Sequence, residues 1–185
     1  QFWEEMAGHP DYDEWWRARD TRRACYNIRP AMLVVGGTFD AEDCYGAWNL
    51  YKAVLRQSAR TPLHLVVGPW AHGAWRGDGR TLGDFDFGEE ASGAYYMEHF
   101  EAPFFDCYLW ARDTVDRLPP VAAFSSGDNR WHTFGRWTPS EARKLTLYLA
   151  DGGRITTEKP TVKNSSTSYT SDPADPVPYI ATSGT

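Results

Sequence analysis

The sequence predicts an α/β domain built on a parallel sheet, followed by the start of a β domain, and three observations carry that reading. Two short apolar, β-branched runs, residues 31–35 and 63–67, have the unbroken hydrophobicity of strands buried on both faces. Between them, residues 41–58 place Cys44, Trp48, Tyr51 and Leu55 at helical spacing, and strand, helix and strand in close succession are the signature of a βαβ unit. Past Arg117-Leu118-Pro119-Pro120 the character changes to short strand-like runs, 121–124 and 145–149, set among turn residues such as Gly127-Asp128-Asn129 and Asp151-Gly152-Gly153. The expected division is therefore 1–117 for the α/β part and 118–185 for the opening of a β domain.

Each element has a local reason. Asp11, with Glu14 three residues later, resembles a capping box and predicts a helix starting near Asp11, with Tyr12, Trp15 and Trp16 on one face. Pro30 precedes the first strand, which Gly36-Gly37 closes. Pro62 ends the following helix, and Gly68-Pro69 closes the second strand. Residues 73–88 are glycine-rich and acidic and read as a long surface loop. Residues 94–112 predict a helix bent at Pro103, with Tyr96, Phe100, Phe104 and Leu109 facing a core. The last stretch, 163–185, is rich in Ser, Thr and Pro, and the β region holds too few strands to close a sandwich.

Composition narrows the function. The chain has 185 residues, with 19 Lys and Arg against 25 Asp and Glu, a net charge of −6 that disfavours a nucleic-acid partner. No apolar run approaches the ~20 residues of a membrane span. The hydrophobic fraction of 42% and aromatic fraction of 15% are enough for a packed core, which excludes disorder of the whole chain. The three cysteines, Cys25, Cys44 and Cys107, lack metal-ligand spacing and read as separate buried thiols, one disulfide being the alternative. His9, His64, His99 and His132 likewise have no metal-ligand spacing.

In open parallel sheets, ligands bind beyond the carboxyl ends of the strands. Asp40 and His72 stand there, each four residues past the glycine that closes its strand, Gly36 or Gly68. Acid then histidine, on successive strands, is the order in which the α/β-hydrolase fold presents the last two members of a Ser–Asp–His triad. The alternative is structural: Asp40 caps the next helix and His72 has no task. No Gly-x-Ser-x-Gly elbow occurs, since Ser125 and Ser126 precede Gly127 without the first glycine. Cys44 follows Glu42 and Asp43, whose charge disfavours a thiolate. The expectation is that a triad serine lies upstream of Gln1 and that this chain is a piece of a longer one, inactive alone.

Several motifs in order carry a family resemblance: His9-Pro10-Asp11-Tyr12-Asp13-Glu14-Trp15-Trp16; Gly36-Gly37-Thr38-Phe39-Asp40-Ala41-Glu42-Asp43; Gly68-Pro69-Trp70-Ala71-His72-Gly73; Phe104-Phe105-Asp106-Cys107-Tyr108-Leu109; Trp137-Thr138-Pro139; and Tyr169-Thr170-Ser171-Asp172-Pro173-Ala174-Asp175-Pro176-Val177-Pro178. Together they resemble the α-amino-acid ester hydrolases, which belong with the cocaine-esterase-like and X-Pro dipeptidyl-peptidase serine hydrolases. The resemblance implies the C-terminal part of an α/β-hydrolase domain followed by a truncated jelly roll, with Asp40 as triad acid and His72 as triad base. The serine, oxyanion-hole donors and helical cap would be encoded upstream, and no metal or cofactor is needed. It further implies that Glu42 and Asp43 receive the α-ammonium of a small amino-acid ester or amide, β-lactam antibiotics included, in secreted or periplasmic homo-oligomeric enzymes. Thr38 departs from the aromatic common at its position. An X-Pro dipeptidyl peptidase is the alternative within the family. Outside it stand a carbohydrate-binding module built on the 9 Trp and a metal site of Asp40, Glu42 and Asp43.

Overall fold

The computed structural model describes residues 2–111, 118–162, 164 and 166–177. Arg112, Arg117, Lys163 and Pro178, where several of the sequence-derived segments begin or end, lie outside the described residues, as do residues 179–185. The chain divides into two units, Gln1–Trp137 and Thr138–Thr185.

The first unit opens with helix α1 (Phe2–Ala7) and helix α2 (Glu14–Arg17). The second begins later than expected, because Asp13 and not Asp11 is the cap. The Asp11 carbonyl is taken up in a turn with the Asp13 N–H, and the Asp13 carboxylate accepts the amides of Trp15 at 3.0 Å and Trp16 at 3.4 Å. Asp20 then caps a separate 3-10 turn, Thr21–Ala24.

Strand β1 (Met32–Gly37), helix α3 (Cys44–Gln57) and strand β2 (Leu63–Gly68) form the predicted βαβ unit, with β1 and β2 parallel and in register from Met32↔Leu63 to Gly37↔Gly68. On α3, Tyr51, Ala53 and Val54 face the core, whereas Leu55 is exposed, so the apolar stripe lies one residue off its expected line. The passage after β2 is more ordered than a loop. It contains a 3-10 turn (Ala74–Arg76) and a hairpin of β3 (Thr81–Leu82) and β4 (Phe85–Asp86), held down by buried Phe87 against Ala91 and Phe124. Helix α4 (Gly93–Tyr96), a π-helical turn (Met97–Glu101) and α5 (Ala102–Tyr108) follow, with Pro103 at the start of α5, where a missing N–H is tolerated. Tyr96, Phe100 and Phe104 are buried as expected; Leu109, beyond the end of α5, is exposed.

Strand β5 (Val121–Ser125) corrects the expected domain boundary. It pairs in parallel with β2, Leu65↔Val121 to Val67↔Ala123, and β6 (Arg130–Phe134) adds antiparallel to it, giving the order β1-β2-β5-β6. The proline pair thus introduces another strand of the α/β sheet, and the division falls after Trp137, not after Arg117. Val121 and Ala122 are fully buried, as a strand covered on both faces requires. Alternate residues supply two cores. Val34, Leu65, Val67 and Val121 pack with Tyr51 on the α3 side, while Val66 and Ala122 pack with Trp70, Tyr96, Phe100 and Phe104 on the other.

In the second unit, β7 (Tyr148–Ala150) and β8 (Arg154–Thr156) form an antiparallel hairpin, with Leu149 and Ile155 exposed on it. All three cysteines are free thiols, and of them only Cys25 is buried, Cys44 and Cys107 being half-buried.

Candidate active site

Adjacent parallel strands in flush register bring the loops after β1 and β2 to the same rim of the sheet, and there Asp40 meets His72. His72 Nδ1–H donates to Asp40 Oδ2 at 3.1 Å. The Asp40 side chain is 0% exposed and the His72 side chain 51% exposed, so a buried carboxylate holds an imidazole that is open to solvent. The other oxygen, Asp40 Oδ1, accepts the backbone amides of Glu42 at 2.8 Å and Asp43 at 2.9 Å. Asp40 therefore caps a turn and orients the histidine at the same time, so its structural role does not exclude a catalytic one. Asp43 Oδ2 approaches His72 Nδ1 to 3.6 Å, while Glu42 is exposed on the same turn.

The electrostatics follow from this placement. Burial pushes the Asp40 carboxyl up, but the amides of Asp43 and Glu42 and the bond to His72 more than offset it, leaving the group more acidic than an ordinary carboxyl. For His72 the bond to Asp40 and the field of Glu42 outweigh its desolvation, and Asp43 adds to them, so the ring is more basic than ordinary imidazole. An imidazole whose Nδ1–H is committed to a carboxylate carries its acceptor lone pair on Nε2, the state in which it can take a proton from a nucleophile.

The two loops are also stitched together by backbone. Thr38 N–H donates to the Gly68 carbonyl at 2.9 Å, the Thr38 hydroxyl donates to that same carbonyl at 3.1 Å, and Phe39 N–H donates to the Trp70 carbonyl at 3.1 Å. A Cβ on Gly37 would stand 2.1 Å from the Trp70 oxygen, so only glycine permits the approach. Trp70 is fully buried, donates Nε1–H to the Ala91 carbonyl at 2.7 Å and packs on Trp75, Tyr96 and Trp131. Gly73, with φ of 68°, turns the chain immediately after the histidine.

Residues 1–74, which contain both Asp40 and His72, match the model of the X-Pro dipeptidyl-peptidase (S15) family. The chain is 25% identical over 190 aligned residues to cocaine esterase of Rhodococcus sp. (strain MB1 Bresler), covering 96% of this chain and 31% of that protein. Its structure superposes on the crystal structure of an aminopeptidase from a marine sediment archaeon, Thaumarchaeota archaeon, with a TM-score of 0.85 and 37% identity over 97% of this chain and 30% of that one. A solved α-amino acid ester hydrolase gives a TM-score of 0.78 and 30% identity over the same shares. The likeness is to the S15 family. The chain spans about a third of the length of these relatives and carries part of a serine-hydrolase fold of the esterase and peptidase kind.

Other groupings in this chain differ in wiring. Ser125, Asp128 and His132 lie together on the β5–β6 hairpin, but Asp128 accepts from both Ser125 and His132, His132 Nε2 at 3.0 Å, so the acid and not the imidazole faces the hydroxyl. Among the described residues Asp40, Asp43 and His72 are the set whose donor atoms converge closely enough for a cation; Glu42 is not in it. Asp40 Oδ1 is already shared by two amides and the His72 Nδ1 lone pair is replaced by a proton, so the set fits proton handling better than metal ligation. The indoles of Trp70, Trp75 and Trp131 pack on the core and Trp48 packs on Trp137; among the described residues Trp3 and Trp110 are the exposed ones, which gives no sugar platform. The Thr38 hydroxyl and the Gly37 contact went unread in the sequence, although an unbroken Gly36-Gly37 at a strand end is the signal of close backbone approach.

Proposed function

We propose that this chain supplies the acid, Asp40, and the base, His72, of a Ser–Asp–His triad in an S15 hydrolase acting on esters or amides of α-amino acids, β-lactam antibiotics among them. The observation that supports this most is the bond from a half-exposed imidazole to a buried, amide-capped carboxylate at the ends of adjacent parallel strands. The serine is contributed by polypeptide outside this sequence. Its hydroxyl would attack the acyl carbonyl while His72 Nε2 takes the proton, and His72 would return that proton to the departing alcohol or amine, leaving an acyl-enzyme. Water, deprotonated by His72, would then release the acid and restore the serine. Glu42 and Asp43, on the turn that Asp40 caps beside the base, would hold the α-ammonium by charge-assisted hydrogen bonds. Residues 138–185 would open a jelly-roll domain.

The test uses the full-length protein with paired esters that differ only in the α-amine. The amino ester should be favoured in kcat/KM by about tenfold or more, the scale of a hydrogen bond to a charged group. Equal rates for the pair would remove the amine assignment. Substantial turnover by the 185-residue chain alone would remove the triad. The S15 match also favours a second reading, an X-Pro dipeptidyl peptidase, whose substrate presents the same free amine; faster cleavage of Xaa-Pro amides than of amino-acid esters would select it.

A further inference from the structure

His72 is approached by more negative charge than orienting it requires. Asp40 alone makes the bond that holds the ring, yet Asp43 Oδ2 also reaches to 3.6 Å from the same nitrogen and Glu42 lies on the same short turn. Among the described residues neither extra carboxylate accepts a hydrogen bond that would give it a structural task. Asp43 is the N-terminal boundary residue of α3 but its side chain makes no capping bond, and Glu42 contributes its backbone N–H, which any residue but proline would supply.

We propose that Glu42 and Asp43 make the base sensitive to the charge of its substrate: with the site empty they favour the imidazolium, and an ammonium seated between them releases the ring as a free base. This rests on the amine assignment proposed above and adds a coupling to it. The charges acting most on His72 are Asp40, Glu42 and Asp43, all from the segment between β1 and α3. On its own loop Arg76 and Asp78 are exposed, and Arg80, just before the β3–β4 hairpin, is engaged by Asp86 and Glu89. A single cation seated between Glu42 and Asp43 offsets one of the three negative charges acting on the ring and leaves the orienting bond to Asp40 intact. The proton balance is simple: the amine binds as a cation, the imidazolium gives one proton from Nε2 to solvent, and Nδ1–H stays on Asp40. An uncharged ligand of the same shape cancels nothing. The half-exposed ring makes the effect subject to screening, so it should weaken with salt.

The experiment follows the ring resonances of His72 in the full-length protein by NMR, assigned by their loss in His72→Gln. Titrations are run without ligand, with benzylamine, which stays cationic throughout, and with neutral benzyl alcohol. Benzylamine should lower the titration midpoint by about one unit, the usual scale for a nearby charge. Benzyl alcohol should leave it in place, and calorimetry in buffers of different ionisation enthalpy should show proton release for the amine alone. Asp43→Asn, which removes no capping bond, should start from a lower midpoint and lose most of the benzylamine effect. Benzylamine that binds, by competitive inhibition, without moving the midpoint overturns the coupling and spares the amine assignment. Failure of benzylamine to bind at all overturns both.

Discussion

The Asp40 carboxylate divides its two oxygens between two partners, and that division decides what substitutions there should do. Asparagine keeps an oxygen for the amides of Glu42 and Asp43 but offers His72 Nδ1 an N–H in place of an acceptor, so the ring must adopt the wrong tautomer. Asp40→Asn in the full-length protein should therefore lower kcat by about 10⁴-fold with little change in melting temperature. A rate within tenfold of wild type would end the assignment of Asp40. Gly37 is the complementary case, a residue with no chemistry whose smallness is essential. Its Cβ would meet the Trp70 carbonyl oxygen at 2.1 Å and the carbon at 2.8 Å, both backbone atoms that cannot swing aside. Gly37→Ala should cost about 1–3 kcal/mol in denaturant unfolding, and should weaken the Asp40–His72 bond by spreading the two loops.

At the scale of elements, β2 is tied to α5 by a buried histidine that stands outside the candidate site. His64 contacts the Pro119 carbonyl through Nδ1 at 2.9 Å and the Tyr108 hydroxyl through Nε2 at 2.9 Å, which requires the neutral ring to donate to the carbonyl and accept from the phenol. Burial pushes its pKa below the ordinary 6.5, against an opposing pull from the Pro119 carbonyl. A depressed folded value means that the unfolded chain binds the proton more readily. The contribution is thus complete above 6.5 and is lost as pH falls through the folded value. Unfolding midpoints measured from neutral to mildly acidic pH should show that loss, and His64→Phe should not. Tyr108→Phe should cost about 1–3 kcal/mol by leaving Nε2 without its donor. This tie was invisible in the sequence, where His64 is a polar residue inside an apolar strand and Tyr108 lies forty-four positions away. The βαβ unit, by contrast, was legible because its strands are apolar throughout and each is closed by glycine. The fifth strand was legible as a strand but was assigned to the following β domain because the prolines before it look like a linker, and only its partner β2 shows that residues 121–125 belong to the same sheet.

For the molecule as a whole, β2 is the protected centre and β1 the boundary of the described sheet. Met32 and Thr38 donate toward the β2 side, so by alternation the amides of Leu33 and Val35 point the other way, where among the described residues no strand pairs with them. Hydrogen exchange in the 185-residue chain should be fast at Leu33 and Val35 and slowest at Leu65 and Val66, which are fully buried. Equal protection at all four would mean that the outer edge of β1 is covered. The candidate site was half legible. Asp40 and His72 could be placed at the rim of the sheet from strand ends and spacing, but their contact depends on register, which is a property of two strands and not of either motif. The amide caps on Asp40 have a last consequence, for divergence. Because Asp40 is anchored by the backbone of residues 42 and 43 and not by their side chains, any residue but proline can occupy those positions while Asp40 stays in place. Under the proposed function, the two positions beside His72 can then change while Asp40 and its bond stay in place, which is the condition under which one scaffold comes to take many substrates.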